Sequence, residues 1–137
     1  MIRIIFGKKG TGKTKRILDM ANNAAREAKG NVFFVDVDKS YTINLKPQVR
    51  FVDASEYNVK GPEAFYGFLA GILSGNYDIS ELFIDGLLKQ LNYAPIEEIQ
   101  VFFDKLNKLV AHAGCDVVIS YSEDASEVPE SIRRYEI

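Results

Sequence analysis

Apolar runs alternate along this chain with segments whose apolar residues recur at helical spacing. The runs predict strands of a sheet that is covered on both faces, because such strands are apolar at nearly every position. They lie at residues 2–6, 32–37, 49–52, 82–85 and 115–120. A further alternation of Tyr41, Ile43 and Leu45 with polar neighbours predicts an extended, half-exposed segment.

Three other segments predict amphipathic helices, since their apolar residues repeat with the period of a helix. These residues are Ile17, Leu18, Ala21, Ala24, Ala25 and Ala28 in the first segment, Phe65, Phe68, Leu69, Ile72 and Leu73 in the second, and Ile99, Phe102, Phe103, Leu106, Leu109 and Val110 in the third. Prolines suit the starts of the second and third helices, and glycines suit all three ends. They are Pro62, Pro95, Gly30, Gly75 and Gly114.

Strands and helices in alternation predict an α/β fold, a three-layer αβα sandwich with a mainly parallel sheet of about five strands. The 137 residues suffice for a single domain, residues 1–137, with a sizeable core. Residues 133–137 could add an edge strand. The irregular segments 38–61, 86–95 and 121–131 leave strands at their carboxyl ends, where ligands bind in open α/β sheets.

A glycine-rich loop, Gly-Lys-Lys-Gly-Thr-Gly-Lys-Thr at residues 7–14, separates the first strand from the first helix, which starts near Lys13. The loop matches the phosphate-binding pattern Gly-x-x-x-x-Gly-Lys-[Ser/Thr] at every fixed position. Its N–H groups are expected to form a cradle for an anion, with Lys13 reaching the β- and γ-phosphates and the Thr14 hydroxyl binding Mg²⁺. The predicted nucleotide contacts are Gly7, Lys8, Lys9, Gly10, Thr11, Gly12, Lys13 and Thr14.

A carboxylate at the end of another apolar strand usually accompanies such a loop, because it holds Mg²⁺ directly or through water. Asp85 is the candidate, and we expect it at the same edge of the sheet as Thr14. Asp36 also ends an apolar run and is the alternative. The catalytic candidates are Lys13 and Asp85, and the predicted metal ligands are Thr14 and Asp85. The predicted cofactors are ATP and Mg²⁺.

Composition and charge narrow the range of partners. The net charge of −2 gives no general attraction to nucleic acid, and the basic residues at positions 8–16 cluster at the predicted phosphate site. Cys115 and His112 are each alone, so neither a disulfide nor a cysteine or histidine metal cluster is expected. No apolar run approaches the ~20 residues of a membrane span and no targeting segment is recognised, so we expect no membrane insertion and a cytoplasmic location.

The glycine loop followed by an apolar strand that ends in aspartate resembles the P-loop NTPase superfamily. Residues 7–14 are similar to a Walker A motif and residues 82–85 to a Walker B motif. The number of strand–helix units between them resembles the additional-strand division, which includes RecA-like and AAA-type ATPases. That resemblance implies that the strand at 115–120 lies between the first strand and the Walker B strand. It also implies that Ser120 or Ser122 lies near the γ-phosphate.

Departures from the superfamily pattern bear on the reaction. Members that hydrolyse ATP usually have a glutamate after the metal-binding aspartate, and this chain has Gly86 there. The glutamates that could replace it are Glu97, Glu98 and Glu123. The usual arginine finger is unassigned, because Arg133 and Arg134 are better explained as a solvated pair. The base-reading motif Asn-Lys-x-Asp of GTPases does not occur, so a GTPase is not expected. The tyrosines that could stack on a nucleotide base are Tyr41, Tyr57 and Tyr93.

Three functions fit the sequence. The expected one is an ATP-binding protein with weak or partner-stimulated ATPase activity, whose partners are a nucleotide and a second protein or another copy of the chain. The first alternative is a nucleoside or nucleotide kinase in which Asp36, Asp38 or Asp53 accepts a proton, although residues 86–131 lack the arginines common in such enzymes. The second alternative is a non-hydrolysing switch in which nucleotide binding orders residues 38–61.

Overall fold

The computed structural model describes residues 1–27 and 29–137, which form one sheet with flanking helices. The strands are β1 (Ile2–Phe6), β2 (Asn31–Asp36), β3 (Val49–Asp53), β4 (Ile79–Ile84) and β5 (Asp116–Tyr121). The α-helices are α1 (Lys13–Glu27), α2 (Pro62–Ser74), α3 (Leu87–Gln90), α4 (Ile96–Ala113) and α5 (Glu130–Arg133). Short 3₁₀ helices lie at Lys39–Asn44, Ala54–Tyr57 and Ala125–Glu127.

Neighbouring strands of the sheet are all parallel, in the order β1-β5-β4-β2-β3. The predicted α/β class and parallel sheet are confirmed, and β5 lies between β1 and β4 as the resemblance implies. In this order Phe6 pairs with Tyr121, and Ile84 pairs with Ile119. The carboxyl ends of β1, β5 and β4 therefore lie side by side, and the residues that follow them meet at one edge of the sheet.

Two apolar cores lie on the two faces of the sheet, because side chains alternate in direction along each strand. On one face, Ile17 of α1 shares a core with Phe34 and Phe83. On the other face, α2 packs against α4, and the rings of Phe65 and Phe102 stack with their centroids 6.0 Å apart. Helices on both faces are compatible with the expected three-layer arrangement.

Helix ends follow the prolines and glycines of the sequence. α2 begins at Pro62 and α4 directly follows Pro95, as predicted. Gly75 and Gly114 are the C-terminal caps of α2 and α4. Ala28, which the sequence predicts as the last apolar position of the first helix, lies outside the described residues.

The segment after β2, which the alternating pattern predicts to be extended, is instead a 3₁₀ helix at Lys39–Asn44. The prediction was wrong because local hydrogen bonds stabilise the 3₁₀ helix more than the alternation of apolar and polar residues favours an extended chain. The Asp38 carboxylate accepts a hydrogen bond from the Ser40 N–H (2.9 Å), and the Thr42 hydroxyl donates to the Lys39 carbonyl (2.8 Å). Short-range bonds of this kind favour turns over extended chain.

The last residues of the sequence lie along the outer edge of β1. The Ile4 N–H donates to the Tyr135 carbonyl (2.8 Å), and the Ile137 N–H donates to the Ile4 carbonyl (3.0 Å). Ile4 and Glu136 form an isolated parallel bridge. The predicted edge strand is therefore present only as this bridge, after the single turn of α5.

We expect Phe102→Ala to lower the free energy of unfolding by about 3–5 kcal/mol, because it removes a buried ring and leaves a cavity. Phe102 is 2% exposed and also meets Phe103 edge to face, at 5.7 Å between centroids. The neighbouring Val101 is 53% exposed, so Val101→Ala should change the free energy of unfolding by less than about 0.5 kcal/mol. Denaturant titration measures both values, and equal losses would contradict this packing.

Candidate functional site

The loop between β1 and α1 turns at glycines. Gly10 and Gly12 have φ angles of 87° and 86°, a region that residues with a Cβ rarely adopt. Because α1 begins at Lys13, its first N–H groups, which lack partners within the helix, lie directly beside the loop. A loop of this form followed by a helix N-terminus is suited to bind an anion.

The Lys13 side chain turns back into the loop. Its ammonium donates to the Lys8 carbonyl at 2.9 Å, and the Thr11 hydroxyl donates to the same carbonyl at 2.7 Å. Burial lowers the pKa of Lys13, and the nearby Asp85 carboxylate opposes that change. A positive charge is thus held at the loop, close enough to Asp85 to interact with it.

The segment after β5 holds the start of the loop. The Gly7 N–H donates to the Glu123 carbonyl at 2.8 Å, and the Lys8 ammonium pairs with the Glu127 carboxylate at 3.4 Å. The ion pair is exposed and contributes little, whereas the backbone bond fixes the position of Gly7. The loop therefore depends on β5 and its following turn as well as on β1.

Asp85 directly follows β4 and accepts hydrogen bonds from two hydroxyl groups. Thr14 donates to its Oδ2 at 3.2 Å, and Ser120 of β5 donates to its Oδ1. The Ser120 oxygen in turn accepts the Gly86 N–H at 2.7 Å. The predicted proximity of Asp85 to Thr14 is therefore present. Of the two serines expected near the γ-phosphate, Ser120 is buried against Asp85 and Ser122 is partly exposed.

The buried side-chain amide of Gln90 holds the backbone of Asp85 in place through a hydrogen bond. Gln90 is 2% exposed, and its Nε2 donates to the Asp85 carbonyl at 2.8 Å. The Gln90 carbonyl accepts the Gly61 N–H at 3.1 Å, just before α2 begins. Sequence reasoning missed Gln90, because a polar residue in a four-residue helix carries no pattern that indicates burial.

Thr14 and Asp85 could supply two of the ligands of a magnesium ion that is also bound by a phosphate chain. They offer one hydroxyl and one carboxylate, and Mg²⁺ is commonly bound by one or two carboxylates together with substrate phosphates and water. Among the described residues there is no group of three or more His, Cys, Asp or Glu side chains able to hold a metal ion. The donor set thus fits a shared ion better than one held by the protein alone.

Asp36 is a second buried carboxyl beside Asp85. It ends β2 next to β4, and it is 4% exposed. Its Oδ1 accepts the Val37 N–H at 2.7 Å, but its Oδ2 is buried without a hydrogen-bond partner. Burial raises the pKa of Asp36 to about 7; the Val37 N–H opposes this, and the charges of Asp85 and Asp38 add to it. Asp36, the alternative to Asp85 in the sequence, thus has one uncommitted oxygen at this edge.

The other two aspartates considered as proton acceptors cap turns. Asp38 is exposed, and the hydrogen bonds from Ser40 hold the pKa of its carboxyl below the usual value. Asp53 accepts hydrogen bonds from both the N–H and the hydroxyl of Ser55, at 2.9 and 2.6 Å. In both residues Oδ1 accepts the local bonds, and the Asp53 Oδ2 lies 3.9 Å from the Lys39 ammonium. Of the three aspartates, Asp36 is the one whose unbonded oxygen is buried.

The remaining candidate residues have positions or contacts in other parts of the fold. Glu97 and Glu98 lie in the first turn of α4. Arg133 forms an ion pair with Glu130 (2.8 Å) and donates to the Val128 carbonyl. Arg134 lies over the Tyr135 ring. Of the tyrosines, Tyr41 packs against the core that Ile17 shares with Phe34, Tyr57 contacts Phe68, and Tyr93 is exposed. These contacts do not indicate which arginine could act as an arginine finger or which tyrosine could stack on a base.

Neither a scan against protein-family models nor a search of the curated proteins found a match for this chain. Within the described ranges no helix is both long enough and apolar enough to cross a membrane.

We expect Asp36→Asn to remove a pH-dependent loss of stability in protein kept free of metal with a chelator. The Asp36 carboxyl stays protonated in the folded protein up to about pH 7, whereas its ordinary pKa is 3.8. Between pH 3.8 and about pH 7, Asp36 is ionised in the unfolded chain but still protonated in the folded protein. The free energy of unfolding therefore falls as the pH rises through this range, and the contribution of Asp36 is constant above about pH 7. The melting temperature of Asp36→Asn should therefore rise relative to wild type from pH 4 to pH 7.

The exposed Asp19→Asn is the matched control, and its melting curve should follow that of wild type across the same range. If Asp36→Asn also follows wild type in parallel at every pH, Asp36 does not have the buried environment described here.

Proposed function

We propose that this protein is a P-loop ATPase that binds ATP together with Mg²⁺ and hydrolyses it slowly, or faster when a protein partner stimulates it. One observation carries the proposal: Lys13, Thr14 and Asp85 converge beside a glycine loop at the carboxyl ends of parallel strands. An ammonium, a hydroxyl and a carboxylate in this arrangement are suited to a phosphate chain and its metal ion.

Each group has a role in this proposal. The loop N–H groups and the start of α1 hold the β-phosphate, and Lys13 stabilises negative charge on the γ-phosphate. Thr14 and Asp85 would hold Mg²⁺, which when bound neutralises charge on the β- and γ-oxygens. Ser120 keeps the Asp85 carboxylate turned toward Thr14 by donating to its other oxygen.

Slow turnover is expected because Gly86 stands where ATP-hydrolysing relatives of the superfamily carry glutamate. Gly86 has a φ of 70° and caps α3, so a glutamate at this position would strain the backbone. The uncommitted oxygen of Asp36 supports a substitute role for this residue. A carboxylate beside Asp85 can orient a water molecule and accept its proton.

The same oxygen supports a second candidate function, a small-molecule kinase, in which Asp36 accepts the proton of an acceptor hydroxyl. The engagement of Asp38 and Asp53 in turns favours Asp36 for this role too. Release of ADP that requires an added nucleoside or nucleotide would support the kinase. Release of ADP and phosphate without any acceptor would support the ATPase.

We expect Mg-ATP to stabilise the protein in a thermal-shift assay. At 100 times its dissociation constant, a ligand of the folded state adds about 2.7 kcal/mol to the free energy of unfolding. Lys13→Ala should lose most of this gain, because it removes the cation at the loop. Lys108→Ala is the control; its side chain is exposed in α4, on the face of the sheet opposite α1, so the gain should remain. An equal response of both variants would refute binding at this loop.

We expect Asp36→Asn to reduce steady ATP hydrolysis by about 10²–10⁴-fold, the usual contribution of a positioned general base. ATP binding, measured by the same thermal shift, should be retained, because Asp36 lies outside the phosphate loop. Asp19→Asn again serves as the control. Tight ATP binding by wild type with no phosphate release at high protein concentration would instead favour the non-hydrolysing switch.

A further inference from the structure

A groove lies between α2 and α4 on the face of the sheet opposite α1. We define the α2–α4 groove by its lining residues, which are Pro62, Glu63, Tyr66, Glu97, Glu98, Val101, Phe102 and Lys105. Its cavity has a volume of about 240 Å³. Phe102 is buried at the groove, whereas Val101 is 53% exposed, so apolar surface is open to solvent there. Exposed apolar surface with a polar rim is typical of a protein contact site.

The rim of the groove is acidic. Glu63 lies in the first turn of α2, and Glu97 and Glu98 lie in the first turn of α4. Among the described residues none of the three forms an ion pair. The one basic lining residue, Lys105, lies over the Tyr66 ring at 5.7 Å from its centroid. An apolar floor with unpaired carboxylates around it is complementary to a segment that is apolar on one side and basic on the other.

The acidic end of the groove is connected to Asp85 by hydrogen bonds. Pro62 begins α2, and the preceding Gly61 N–H donates to the Gln90 carbonyl at 3.1 Å. The Gln90 side chain donates to the Asp85 carbonyl at 2.8 Å. Movement of the start of α2 would therefore act on the backbone of Asp85 through one buried residue.

We propose that the α2–α4 groove binds a basic amphipathic helix of a protein partner, and that this contact changes the affinity of the site at Asp85 for Mg-ATP. The docking part stands on the groove alone. The coupling part rests on the proposed function, and it identifies where a stimulating partner acts.

Synthetic peptides test the docking part with the whole protein and without nucleotide. The probe is an 18-residue helix with leucine on one face and lysine on the other, because α4 itself has 18 residues. A peptide of the same composition in scrambled order controls for charge, and a leucine–glutamate version controls for apolar contact. We expect binding of the ordered lysine peptide only. Equal binding of the scrambled peptide, or no binding of the ordered one, would overturn the docking proposal.

Variants locate the binding to the groove. Val101→Asn should weaken the ordered lysine peptide by about tenfold or more, because it replaces exposed apolar surface in the groove with a polar side chain and leaves the charge unchanged. The matched control is Ile43→Asn, which makes the same kind of change at an exposed apolar residue outside the groove. Glu97→Lys with Glu98→Lys should abolish binding of the lysine peptide and permit binding of the glutamate peptide. Asp78→Lys with Asp104→Lys, an equal change of charge outside the groove, should do neither.

Linkage tests the coupling part. Saturating lysine peptide should change the dissociation constant of Mg-ATP by about fivefold or more, and Mg-ATP should change that of the peptide by the same factor. Gln90→Met, which keeps the size of the side chain but cannot donate to Asp85, should reduce this factor while leaving peptide affinity intact. Peptide binding with no such change, although Mg-ATP binds, would overturn the coupling alone. Failure of Mg-ATP to bind would overturn the proposed function and the coupling, while the docking result would stand.

Discussion

The Asp85 carboxylate is almost fully removed from water, and its hydrogen bonds connect three elements at the carboxyl edge of the sheet. Thr14 lies in α1 after the glycine loop that follows β1, Ser120 lies in β5 and Asp85 follows β4, so the order β1-β5-β4 brings these groups together. A buried carboxylate without hydrogen bonds is costly, and this cost links the order of the sheet to the chemistry at its edge. The glycine loop depends on the same arrangement, since Gly7 donates to the turn after β5.

Two neighbouring carboxyl groups at this edge differ in how their oxygens are used. Both oxygens of Asp85 accept hydroxyl donors, whereas Asp36 has one oxygen without a donor and a pKa raised by burial. Different surroundings suit such a pair to different tasks, one carboxyl holding a fixed position and the other taking up a proton. The raised pKa comes mainly from burial, so it depends on packing around β2 more than on any single charge.

Much of the fold could be predicted from the sequence, because continuous apolar runs mark buried parallel strands and prolines and glycines mark helix ends. The glycine loop was also predictable from its fixed spacing, and its proximity to Asp85 from the position of Asp85 at the end of an apolar strand. The 3₁₀ helix at Lys39–Asn44 was not, since its bonds from Ser40 and Thr42 compete with an alternating pattern over a short range. The free oxygen of Asp36 was equally hidden, because a missing hydrogen bond is a property of the assembled fold.

The contact of the last residues with β1 has a consequence for self-association. β1 is the outermost strand on its side of the sheet, and it leads directly into the glycine loop. Open strand edges pair readily with strands of other molecules. Because Tyr135 and Ile137 occupy both main-chain groups of Ile4, another molecule would have to displace them before it could extend the sheet. At Ile4, residues 135–137 thereby cover the outer edge of the strand that leads into the glycine loop.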